Sequence, residues 1–106
     1  MTIGELRASA RYWQERLGLN DWKITIRQAK NSEMAGDEYA GHAYWIPEYP
    51  EGTILVRRGS GVDIVLHELL HIRLEGHRPS PKRYDALYER ALNALTDALL
   101  AAKNHS

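Results

Sequence analysis

Between Ser60 and Gly76 the chain carries a segment that is apolar on both sides when wound as a helix. At about 100° per residue, Val62, Val65, Leu66, Leu69 and Ile72 share one face, while Ile64, His67, His71 and Leu74 share the opposite one. A helix that is apolar all round is a buried helix. The rest of the chain must therefore wrap this segment on more than one side. A length of 106 residues suits one core and is too short for two, so a single domain over residues 1–106 is expected, with this helix at its centre.

The flanking patterns supply the wrapping. Ile3, Leu6, Ala10, Trp13 and Leu17 recur at helical spacing, with Gly18 standing where a C-terminal cap glycine would, which predicts a first helix from Ile3 to Leu17. Alternation of apolar and polar residues predicts a strand from Trp22 to Arg27. A polar segment from Asn31 to Asp37 precedes a second strand, Tyr39 to Ile46, and Pro47, Pro50 and Gly52 precede a third, Thr53 to Arg57. Ser60 with Asp63 approximates a capping box for the central helix, which runs to Glu75 with Gly76 as its terminator. Ser80 and Pro81 read as the cap and first position of a last helix, whose apolar stripe of Tyr84, Leu87, Tyr88, Ala91, Leu92, Leu95 and Leu99 carries it to about Ala102. The expected fold is α+β: an N-terminal helix, a small three-stranded sheet with an open edge, a buried helix and a C-terminal helix.

Composition removes several classes of function. Fourteen basic and fourteen acidic residues cancel, so there is no electrostatic footprint for nucleic acid or an anionic membrane. No apolar run is long enough to span a bilayer, and the first residues lack the basic and apolar regions of a signal peptide, the pattern expected of a soluble cytoplasmic protein. The absence of cysteine removes disulfides and thiolate sites together. Any metal must then be held by histidine and carboxylate.

The buried helix provides those groups in the run His67-Glu68-Leu69-Leu70-His71, the pattern H-E-x-x-H. Two histidines four apart on a helix share a face and can grip one Zn²⁺, and the glutamate beside them can act as general base on the metal's water. A bare imidazole inside the protein is costly unless something satisfies it. A catalytic zinc site also needs a third protein ligand and leaves a position for water. Glu75 lies about 9 Å along the axis from the midpoint of the two histidines, too far on a straight helix, and reads as an exposed or outer carboxylate. His77, Asp85 and Glu89 remain. His77 occupies the third-histidine position of the metzincin pattern H-E-x-x-H-x-x-G-x-x-H, yet Leu74 stands where that pattern has its glycine.

The chain resembles the small zincin-like metallopeptidase domains of the gluzincin type, often carried by phages and prophages. The stretches that carry the resemblance are Leu19 to Ile26, His67 to His71, and Glu89-Arg90-Ala91-Leu92-Asn93-Ala94-Leu95. The resemblance implies a zincin-like fold in which Glu89, on the last helix, joins His67 and His71 as the third zinc ligand. It further implies a zinc peptidase acting on a peptide or protein, with Glu68 as general base. His77, Tyr84, Tyr88, His42 and Tyr44 are candidates for a further donor to the oxyanion. A non-catalytic domain with a structural or sensing metal site that binds a protein partner is the alternative, and a metal-free module with an accidental motif is the third reading.

Overall fold

The computed structural model describes residues 1–30, 41–81 and 85–105. Thr2 starts the first helix, α1 (Ile3–Arg16), through a capping box: its hydroxyl accepts from the Glu5 backbone N–H, and the Glu5 carboxylate accepts from the Thr2 N–H. The helix closes at Leu17, followed by Gly18 in the left-handed conformation (φ 71°) that favours glycine. Strands β1 (Lys23–Gln28), β2 (Gly41–Ile46) and β3 (Glu51–Val56) form one sheet in the order β1-β3-β2. β1 runs parallel to β3 and β2 antiparallel to it. The second and third strands differ from expectation at their ends. β3 begins two residues early because Glu51 and Gly52 pair with both neighbours, and Tyr39 and Ala40, expected in β2, lie outside the described residues.

Register decides which face is covered. Ile24, Gly52 and Trp45 lie side by side, as do Ile26, Ile54 and Ala43, and two residues before Ala43 Gly41 lies opposite Val56. These residues turn towards the helical layer, and Ala43, Ile54 and Val56 are essentially without solvent exposure. On the opposite face Tyr44 and Ile46 are exposed, while Leu55, in the central strand, is buried.

The helical layer is built on α2 (Val62–Glu75), which touches α1, β2, β3 and α3. Eight consecutive residues, Val65 to Ile72, are buried, as an all-round apolar helix requires. Its start corrects the sequence reading. Gly61, not Ser60, is the N-cap and makes no side-chain cap bond. The Ser60 backbone N–H instead closes a turn onto the Arg57 carbonyl, and the Asp63 carboxylate sits back near Gly61 at the positive end of the helix. The last helix, α3 (Ala86–Asn104), also starts elsewhere than expected. Its N-cap is Asp85, whose carboxylate accepts from the Leu87 and Tyr88 backbone N–H groups. Ser80 and Pro81 therefore belong to the loop before it, and Tyr84 lies outside the described residues. No described helix is long and apolar enough to cross a membrane.

Candidate metal centre

Helix α2 turns two kinds of side chain inward. Leu66, Leu69 and Ile72 enter the core, and His67, Glu68 and His71 are buried beside them at 6%, 3% and 0% exposure. Spacing of four residues puts the two imidazoles one above the other, with ring centroids 5.1 Å apart. The chain then leaves α2 through Gly76, and α3 returns across it. Capping at Asp85 places Glu89 in the first turn of α3, where the helix N-terminus favours a negative charge.

Glu89 closes the cluster. Its Oε2 lies 3.0 Å from His67 Nε2 and its Oε1 lies 2.5 Å from His71 Nε2. Among the described residues, His67, His71 and Glu89 form the one set of three whose ligand atoms all lie within 4.8 Å of one another. The far nitrogen of His71, Nδ1, lies 2.9 Å from Glu75 Oε2. Glu75 is thus an outer partner, as its position on the helix implies.

The donor set can be tested against a cation. The buried His71 ring faces a carboxylate oxygen on each side. A neutral imidazole carries one N–H and can satisfy only one of them. Donation from Nδ1 to Glu75 leaves the Nε2 lone pair aimed at Glu89, so that side needs either a further proton or a cation. A metal ion held by His67 Nε2, His71 Nε2 and Glu89 meets the need, with Glu75 fixing the tautomer and ring orientation as outer carboxylates do. Imidazole and carboxylate suit zinc and other first-row divalent ions. The three residues could hold a metal, and their chemistry fits one.

The remaining candidates fall outside the cluster. His77 is exposed, accepts from the Arg78 Nε–H at 3.2 Å, and lines a separate cavity of about 520 Å³ with Trp22, Pro47, Pro50 and Arg73. Its metzincin-like spacing does not bring it to His67 and His71. Asp85 is used up as a helix cap. Tyr44 is exposed on the face of the sheet opposite the helices. Tyr88 stands beside His71, ring centroids 5.6 Å apart, and burial first, then Glu75 and Glu89, raise its hydroxyl above the usual tyrosine value. His42, half-buried on β2, is held below the ordinary histidine value by burial first and by His71 second, with Glu89 opposing.

Two features of the surroundings have no motif. The buried Trp45 donates its indole N–H to the Arg78 carbonyl at 2.6 Å, tying the loop after α2 to β2. The first residue of β2, Gly41, lies against the Glu68 carboxylate. Only the Asp85 cap had a readable signal, an aspartate directly before an apolar periodic run. No protein-family model, curated protein or solved structure matches the chain.

Proposed function

We propose that the chain is a zinc-dependent peptidase with a zincin-like metal site. The observation that carries this reading is the meeting of His67 and His71 of α2 with Glu89 of α3, with Glu68 buried between the two histidines in sequence. His67 and His71 would hold the ion through Nε2 and Glu89 through its carboxylate. When bound, such an ion acidifies water and polarises a scissile carbonyl. Glu68 then takes a proton from the attacking water on its carboxylate and delivers it to the leaving amine nitrogen. Glu75 keeps the His71 proton on Nδ1, and Glu89 holds α3 against α2. An extended peptide is the substrate that suits the surroundings: β2 ends the sheet, and among the described residues no strand pairs with its outer edge.

The test is hydrolysis of a broad peptide library by zinc-loaded protein alongside the Glu68→Gln variant. Cleavage by the wild type, with loss of at least about 100-fold in Glu68→Gln while one zinc per chain is retained, supports the reading. An uncut library overturns it. One observation favours a second reading, a metal site that serves folding or partner binding. Among the described residues of α3 only Leu92 and Thr96 are buried, so a cation joining Glu89 to α2 would also clamp this helix. In that case chelation unfolds or loosens α3, and Glu68→Gln changes nothing.

A further inference from the structure

Glu68 owes its burial in part to a residue that has no side chain. A Cβ on Gly41 would stand 2.5 Å from Ile64 Cγ2, 3.2 Å from the Leu55 carbonyl oxygen and 3.4 Å from Glu68 Oε2. Ile64 and Glu68 are one turn apart on α2, so the bare Cα of Gly41 rests over a single ridge of that helix. The Leu55 oxygen belongs to the neighbouring strand, across which Gly41 pairs with Val56.

The Glu68 oxygen stands at ordinary contact distance, but neither Ile64 nor Leu55 can step aside cheaply. Cγ2 branches directly from the Ile64 Cβ, and a β-branched side chain in a helix has one strongly preferred χ1 rotamer. The Leu55 oxygen is backbone. Non-bonded carbons settle at about 3.5–4.0 Å, so a methyl at position 41 forces β2 and α2 apart by on the order of 1 Å. Glu68 lies at that seam.

We infer that Gly41 is a positioning residue for Glu68, its missing side chain letting the edge strand close over the carboxylate and fix where the base stands. The inference rests on the peptidase reading for its effect on turnover, while the contact itself is independent of it. A displacement of about 1 Å can cost a reaction about 100-fold. None of His67, His71 and Glu89 is among the three atoms nearest to a Cβ at Gly41, so turnover is expected to suffer more than metal binding.

The test compares Gly41→Ala, Ile64→Ala and the pair, measuring kcat, KM, zinc stoichiometry and affinity, and the denaturation midpoint. Gly41→Ala is expected to bind one zinc within about threefold of wild-type affinity, to keep its KM, and to lose about 10–100-fold in kcat. The pair, with the obstructing methyl removed, is expected to return to within about threefold of Ile64→Ala alone. Wild-type turnover in Gly41→Ala, a loss that appears in KM or zinc affinity instead, or a pair that stays impaired overturns the inference. Should Gly41→Ala not fold, a folded pair with the kcat of Ile64→Ala supports it, and a pair that also fails to fold overturns it. If the wild type cuts nothing, the peptidase reading has failed separately. The contact is then read from the Gly41→Ala and Glu68→Gln cycle: non-additive changes in the denaturation midpoint support positioning, and additive ones overturn it.

Discussion

The two helices that meet at the candidate metal centre are held in place by different means. In α2 eight of fourteen residues are buried in one unbroken run, so His67 and His71 move only if the core moves. In α3, of nineteen residues, Leu92 and Thr96 are buried, with Tyr88, Leu99 and Leu100 packed partly against the core. The histidines are thus fixed by packing, whereas Glu89 is fixed by an end cap, a few apolar contacts and its own bonds to the histidines. A site assembled from one rigid and one lightly docked half couples ion binding to the docking of the lighter half.

The largest effect that separates the halves is a matched pair of core truncations. Leu69→Ala and Leu92→Ala remove side chains of equal size that are almost fully buried, at 0% and 2% exposure. Large-to-small substitutions of this kind cost about 2–5 kcal/mol, the more the less the site can collapse. Leu69→Ala is expected near the upper end and Leu92→Ala near the lower, by urea denaturation of metal-free protein. Leu92→Ala is also expected to weaken zinc more than Leu69→Ala does, because it loosens the helix that carries Glu89. Equal zinc affinities in the two variants would break the contrast.

A smaller effect tests the outer carboxylate on the rigid half. Glu75→Gln leaves all three proposed ligands in place but weakens the partner that keeps the His71 proton on Nδ1. Loss of such a partner costs about 10–100-fold in metal affinity. Calorimetric titration with Zn²⁺ measures it, and an unchanged affinity removes Glu75 from the site.

The smallest effect concerns the edge strand β2. Burial and His71 together hold His42 below its ordinary value of 6.5. The unfolded chain therefore takes up a proton at a higher pH than the folded one, and stability rises with pH in the window between the two values. The contribution is present above about 6.5 and is lost as pH falls from there through the lower folded value. Urea unfolding of metal-free protein between pH 8 and 5.5 should show this loss, reduced in His42→Gln. Identical slopes in the two proteins would show that burial and His71 leave His42 unshifted.

What could be read from the sequence divides along the same line as the helices. The apolar spacing of α2 follows from local periodicity, and that helix brings His67, Glu68 and His71 inward together. The three strands and the α+β class follow in the same way from alternation and breakers. The position of Glu89 does not. Ser80-Pro81 and Asp85 both satisfy the local rules for a helix start, and the choice falls to Asp85, whose carboxylate takes two backbone N–H groups. Similarly, His77 has the spacing of a third ligand, yet it turns outward towards Trp22 and Arg73 while Trp45 holds the next residue's carbonyl. The contact between Gly41 and Glu68 joins distant segments and leaves no local pattern at all. The residues alone left His77, Asp85 and Glu89 open, the resemblance to zincin-like domains implied Glu89, and the geometry at α2 and α3 is consistent with that choice.

The most direct measurement is a Zn²⁺ titration of chelator-treated protein, comparing the wild type with Glu89→Ala and His77→Ala. The expected result is one zinc per chain in the wild type and in His77→Ala, with Glu89→Ala weakened by more than the roughly 10–100-fold that an outer partner costs. Wild-type affinity in Glu89→Ala, or loss of the site in His77→Ala, would contradict a centre built from His67, His71 and Glu89.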